Sequence, residues 1–287
     1  MPSVAEPALW GLRRRLLDLL DRLHLARPAV RAYELALAAR SARSARRTSR
    51  ESGFALPPAR LRAQAGPSHA DADFFLRSGE HHADLIRNLL REDGTSIEEL
   101  DAILDWGCGC GRVLRHWAQL PHTRVCGSDI TPSMVNWCSA NLPFAEITLN
   151  AIEPPLPYAD STFDLVYGFS VLTHLSETLQ HAWVGECLRV LKPEGYLLVS
   201  TLGEYYASLD RLTESELRSF ANGELVVLYE RSAGTSLCSA YHPPAYVHRN
   251  LASGFDLVSF RPAAVDGRHD MHLLRKPALH AVTTERS

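Results

Sequence analysis

The sequence predicts an α/β domain built on a mostly parallel, doubly wound sheet, and three observations predict it. An apolar run over 103–106 enters a loop with glycine at every second position, Gly107, Gly109 and Gly111. A second short strand-like run over 124–128 ends in a carboxylate, Asp129. Through the middle of the chain, short strand-like runs alternate with segments of helical spacing, as a parallel sheet covered on both faces requires.

Strands are expected near 101–106, 124–128, 146–150, 163–168 and 196–201, and helices near 81–91, 111–119, 132–140 and 178–190. Thr131 and Pro132 supply an N-cap and a proline at N1 for the third helix. After the fifth strand the pattern changes. Residues 214–221 read as a short helix, 224–229 as a strand, 233–240 as small and polar, 243–252 as a helix, and 255–260 and 270–274 as strands six and seven. Residues 203–242 are therefore an insertion above the C-terminal strand edge, where a substrate cap belongs.

The glycine loop narrows the ligand. Glycine admits positive φ and lets backbone N–H groups approach a ligand that a Cβ would hold off. A dinucleotide site wants G-x-G-x-x-G, but here the third-glycine position is Arg112 and the pattern is G-x-G-x-G with Asp105 two residues ahead. A carboxylate at the loop mouth repels a pyrophosphate and pairs with an α-ammonium group, which an amino-acid-bearing cofactor carries. Asp129 stands where this fold holds a ribose diol, each charge-assisted hydrogen bond being worth about 1.5–3 kcal/mol. A tight turn without ligand, and Asp129 as a plain helix-start residue, are the purely structural readings of the same positions.

At these residues the chain resembles the class I S-adenosylmethionine-dependent methyltransferases, in particular the small-molecule branch that includes the quinone-biosynthesis enzymes. The resemblance covers residues 71–275 in ordered motifs: 103–111, Asp129, Leu149-Asn150-Ala151, 156–167, 171–175 and 188–199. Many members have aspartate where Asn150 stands; Asn150 still offers an amide oxygen to an adenine amino group. The resemblance implies a Rossmann-like seven-stranded sheet with strand seven antiparallel beside strand five, and S-adenosyl-L-methionine as cofactor. It carries cofactor contacts to Ser78, Gly79, Asp105, Gly107, Cys108, Gly109, Gly111, Asp129, Ile130, Asn150, Ala151 and Phe169, with the segment 74–82 folding over the methionine end.

The implied activity is methyl transfer to O, N or activated C of a small molecule. A base is needed only when the acceptor is a protonated oxygen or nitrogen. His174, at the start of the helix after strand four, is the first candidate, since an imidazole titrates near neutrality. His242, held beside Pro243 and Pro244, is the second. Packing and helix capping are the competing roles for the two. Glu204, Tyr205 and Tyr206 are expected to line the pocket, and the neighbours His81 and His82, about 100° apart on a helix, to be surface or lid residues. His269, Asp270 and His272 look like a metal cluster, but alternate strand residues face opposite sides, so no metal is expected. Two other classes remain open: an S-adenosylmethionine-binding enzyme of cyclase-type chemistry, and a non-catalytic cofactor-binding protein. A nicotinamide dehydrogenase is disfavoured by Arg112 and by the lack of a Tyr-x-x-x-Lys pair.

Composition fits a soluble enzyme: 287 residues, 46% hydrophobic and 22% charged, are enough for one core plus an appendage. No apolar run approaches membrane-spanning length and the N-terminus lacks a signal-peptide core, so a cytoplasmic location is expected. The 6 cysteines form no C-x-x-C pair and read as reduced thiols. The net charge of −3 hides an asymmetry. Residues 1–65 hold 13 arginines against 5 acids, or +8, and the remainder 17 basic against 28 acidic residues, or −11. Leu9, Leu12, Leu16, Leu19, Leu20 and Leu23 fall at helical spacing, and Pro28 begins a second helix with Val30, Tyr33 and Leu37. Residues 41–50 carry no apolar stripe and 53–67 are rich in Pro, Gly and Ala, which reads as a flexible linker. The organisation is thus a basic helical extension and linker over 1–65, a catalytic domain over 66–276 and a tail over 277–287. The basic helices suit a lid or dimer contact, a partner protein, or an anionic membrane surface through residues 1–50. Nucleic acid is not expected, because basic residues interleaved with aromatics are absent.

Overall fold

The computed structural model describes residues 6–23, 25–41, 53–209 and 212–278. The central strands are β1 (Ala102–Trp106), β2 (Arg124–Asp129), β3 (Ala145–Leu149), β4 (Phe163–Gly168) and β5 (Leu191–Thr201). β6 (Val226–Leu228) and β7 (Ser239–Tyr241) precede β8 (Asp256–Val265) and β9 (His269–Arg275). Seven of them form one sheet in the order β3-β2-β1-β4-β5-β9-β8. β1 to β5 are parallel to one another, while β9 runs antiparallel between β5 and β8. β6 and β7 make a separate antiparallel pair, with Val226 opposite Tyr241.

The inner strands carry apolar side chains on both faces, so alternate residues enter two cores. Ile103, Leu165, Tyr167 and Leu198 pack with Ala83, Ile86 and Leu90 of helix α4 (Ala72–Glu92) and Cys138 of helix α5 (Pro132–Asn141). Leu104, Val166, Leu197 and Val199 pack on the other face with Trp183, Val184 and Cys187 of helix α6 (Glu177–Val190). Before them come α1 (Glu6–Arg22), α2 (Ala26–Ser41) and α3 (Ala59–Gln64); α7 (Glu204–Ala207) and α8 (Glu214–Ala221) lie in the insertion after β5. Among the described residues, no helix is long and apolar enough to cross a membrane.

The seven-stranded, mostly parallel sheet with its last strand antiparallel beside β5, and the helices near 132–140, 178–190 and 214–221, match the sequence expectation; several other elements differ. The segment 74–82, expected to precede the first core helix, lies inside α4, which starts early because the Asp71 side chain accepts from Phe74 N at 2.8 Å. The helix expected over 111–119 is a tight 3-10 turn, Leu114–Trp117, with Arg115 folded back so that its Nε donates to the Gly111 carbonyl. The helix over 243–252 is a short turn, Pro244–Tyr246, continued as the π-helical Val247–Leu251. β7 was unforeseen, since its three residues are too few to carry a period.

The flexible-linker reading of 53–67 is overturned. Phe54 packs against the first core, Leu61 is buried with Phe75, Cys110 and Met134, and α3 turns the segment back over the domain. The buried Arg62 guanidinium donates to the carbonyls of Pro57, His69 and Ala70, satisfying an irregular backbone that would otherwise be unpaired. The rest of the expected linker, 42–52, and most of the tail, 279–287, lie outside the described residues. α1 is tied to the insertion by the Arg14–Glu216 pair, with Nη1 2.9 Å from Oε2, and by the Ser232 hydroxyl donating to Asp21.

Two glycines in helices give opposite expectations. A Cβ at Gly79 in α4 would sit 2.3 Å from the backbone oxygen of Arg112, whereas one at Gly185 in α6 would meet nothing within 4 Å. Gly79→Ala should lower stability by about 1–3 kcal/mol through overpacking against backbone. Gly185→Ala should raise it by about 0.5–1 kcal/mol. Urea midpoints at unchanged slope report both.

Candidate functional site

A cavity of about 730 Å³ opens at the C-terminal ends of the parallel strands, a size typical of small-molecule sites. Its floor is made where the strands stop: Asp105 and Asp129 at the C-terminal ends of β1 and β2, and Asn150, Phe169 and Leu202 directly after β3, β4 and β5. Leu17 and Leu20 of α1 with Val30 and Tyr33 of α2 form a roof, and 234–237, Ser239 and Tyr241 of the insertion close one side.

The glycine loop is held open by backbone geometry. Gly107, Gly109 and Gly111 have φ of 75°, 55° and 74°, a region where a side chain is strained. Gly107 N and Cys108 N both donate to the Ser128 carbonyl, at 2.8 and 2.9 Å. Asp129 completes the clamp, one carboxylate oxygen accepting from Gly109 N at 2.9 Å and the other from Thr131 N at 2.7 Å. Burial raises its pKa, and the bonds from Thr131 and Gly109 oppose the rise.

Asp105 is buried and its Oδ2 has no protein partner. Burial pushes its carboxyl up to about 7; a hydrogen bond from Tyr167 and the charge of Arg112 pull it back, and the charge of Asp129 adds to the rise. The Asn150 amide is fixed by Nδ2 donating to Ala151 O at 2.7 Å, and its Oδ1 is likewise buried without a protein partner. Two buried acceptors on one cavity fit a ligand carrying N–H donors. Arg112 reaches the cavity beside them, its guanidinium 5.9 Å from the Phe169 ring centroid, and Phe169 in turn stacks on His82 at 4.5 Å. Burial lowers the Arg112 pKa, while Asp266 and Asp105 hold it up.

His174 lines the cavity with its Nδ1 2.7 Å from the Cys238 carbonyl. A carbonyl only accepts, so Nδ1 carries the proton and Nε2 keeps a lone pair. Burial lowers the His174 pKa, which keeps the ring neutral at pH 7.

Asp105, Gly107, Cys108, Gly109, Asp129, Ile130, Asn150, Phe169 and His174 all line the cavity; Ser78, Gly79, Gly111, Ala151 and His242 do not. Ser78 and Gly79 face the loop instead, Arg112 Nη1 lying 3.4 Å from Ser78 Oγ. Gly111 is a packing glycine: a Cβ there would sit 2.4 Å from Leu142 Cδ1. His242 is corrected to a core residue, wholly buried, with Nε2 3.0 Å from Gln180 Oε1 and its pKa pushed down to about 3 by burial. Of the three residues 204–206, only Tyr206 reaches the cavity. His82 is also corrected: it is buried in α4, 3.4 Å from the Asp266 carboxylate, rather than on the surface. His272 is buried between Thr201 Oγ1 and His248, while His269 joins the cavity against Tyr206.

Sequence reasoning used Arg112 only to exclude a dinucleotide and passed over His269, although strand alternation already put it on the face opposite Asp270 and His272. Residues 64–67, read as linker, also line the cavity, as do 234–237 in the small and polar stretch of the insertion where a cap was expected.

Residues 104–199 match the family described as a methyltransferase domain, spanning the glycine loop, Asp129, Asn150 and His174. The matched segment is about a third of the chain and holds the strands that carry the site. The chain is 33% identical over 127 residues to a malonyl-[acyl-carrier protein] O-methyltransferase of Hahella chejuensis, covering 42% of this chain and 45% of that protein. It is 31% identical over 166 residues to the enzyme of the same name from Yersinia pestis, covering 56% and 58%. The chain thus spans about half the length of these curated relatives. Among solved structures, a SAM-dependent methyltransferase from Methanosarcina mazei superposes with a TM-score of 0.50 at 20% identity, over 66% of this chain and 97% of the other, a likeness of fold.

The two histidines should separate by NMR. Nitrogen-edited spectra should find His174 as the Nδ1–H tautomer titrating below the ordinary imidazole range of about 6.5. His242 should stay neutral to pH 4, since its pKa is about 3. A His242 titrating near neutrality would place it outside the core.

Proposed function

We propose that the chain is an S-adenosylmethionine-dependent methyltransferase acting on O, N or activated C of a small molecule, with residues 66–276 as the catalytic unit. The observation that carries this reading is the gathering of Asp105, Asp129 and Asn150 on one cavity behind the open glycine loop of a methyltransferase domain. The bound cofactor supplies an electrophilic methyl group on a sulfonium. Asp129 uses the lone pairs left over from its two backbone bonds to accept from the ribose hydroxyls. Asp105 Oδ2 takes the α-ammonium group, and Asn150 Oδ1 the adenine amino group. In an in-line displacement most of the protein's work is alignment and exclusion of water, which the roof of α1 and α2 and the insertion provide. His174, neutral and with Nε2 free, accepts the proton of a hydroxyl or amine acceptor.

Three measurements test this. Asp129→Ala should weaken S-adenosylmethionine and S-adenosylhomocysteine alike by about 2–3 kcal/mol in calorimetry. Unchanged affinity removes Asp129 from the site. Since an ammonium partner needs the Asp105 carboxylate charged, cofactor affinity should rise as pH climbs from 5 to about 7, the Asp105 pKa, and Asp105→Asn should abolish that slope. His174→Gln should leave cofactor affinity intact and lower turnover by about 10²–10⁴. In the wild type, turnover should rise with pH through a midpoint below about 6.5 as the ring loses its proton, then stay flat.

A further inference from the structure

The two N-terminal helices have two faces, and the cavity uses one of them. Leu17 and Leu20 of α1 point to the cavity, Asp21 is buried against Ser232, and Arg14 pairs with Glu216. The opposite face of α1 is built from Leu16, Leu19 and Leu23, each more than half exposed, with Arg15 and Arg22 along its edge. Those five residues fall at i, i+1, i+4, i+7 and i+8 of one helix, which is a single stripe. α2 continues the surface with exposed Leu35 and Arg31.

The charge on this surface has one sign. Among the described residues of α1 and α2, every exposed side chain is Arg, Leu, Ala, Pro or Tyr, while Asp18, Asp21 and Glu34 are wholly or partly buried. The sequence that follows, 42–51, adds four arginines and one acid. Exposed leucines beside arginines, without acids, complement a surface that is apolar below and anionic above. A second copy of the chain fits worse, because a two-fold contact sets the same arginines against each other.

We propose that the outer face of the α1–α2 hairpin docks on an anionic phospholipid membrane, the leucines entering the headgroup boundary and the arginines pairing with lipid phosphates. The cavity roof and the docking surface are then two sides of one element.

The test is sedimentation of the full chain with phosphatidylcholine vesicles that contain or lack phosphatidylglycerol, at low and high salt. Binding is expected to the anionic vesicles only, weakened by salt. The triple variant L16N/L19N/L23N and the double variant R15E/R22E should each bind at least about tenfold more weakly, because each removes one of the two attractions. Both should keep the wild-type thermal midpoint, since none of these side chains is buried. No binding to anionic vesicles at low salt, equal binding to neutral vesicles, or undiminished binding by the variants overturns the proposal. So does a leucine-dependent dimer in sedimentation velocity without vesicle binding, or salt-sensitive capture of a DNA duplex in preference to vesicles.

Discussion

The Asp129 carboxylate is the point on which the site's geometry rests. One of its oxygens fixes Gly109 N and the other Thr131 N, so a single side chain at the end of β2 sets both the glycine loop after β1 and the first turn of α5. A loop of three positive-φ glycines costs more conformational entropy on ordering than other residues would, and without a local anchor it would sample many shapes. The paired donation to Ser128 O from Gly107 and Cys108 is the other anchor, from the same strand end. Both anchors come from β2, and so the loop inherits the rigidity of the β1–β2 pairing.

Around this point the protein keeps charge buried without pairing it fully. Asp105 and Arg112 influence each other across the cavity wall, yet no close ion pair joins them among the described residues. Such an arrangement is poor for stability and useful for binding, since a buried carboxylate with a free oxygen has the most to gain from a cationic ligand. Tyr167 and Trp117 sit behind it, the indole Nε1 donating to the phenol at 2.7 Å and the phenol hydrogen-bonding the carboxyl.

The central strands were legible in the sequence because they are mostly buried and appear as short, largely apolar runs bounded by turn residues. So were Asp105 and Asp129, whose places follow from where those runs stop. The segment 53–70 was not legible: alanines, glycine and prolines fit closely there around Arg62, and close fit of small side chains leaves no periodicity to read. The histidines show the same limit. His174 and His242 looked alike as candidates, and what divides them is the partner each meets across the fold, the Cys238 carbonyl for one and Gln180 of α6 for the other. Strand alternation was informative about His269, but nothing local marked the far side of β9 as the cavity side.

The Arg14–Glu216 and Asp21–Ser232 contacts join α1 to the insertion rather than to the sheet. Roof and side wall are therefore fastened to each other, and separating them breaks a bidentate ion pair. A ligand that displaces the roof therefore also loads the wall, because these contacts connect the two.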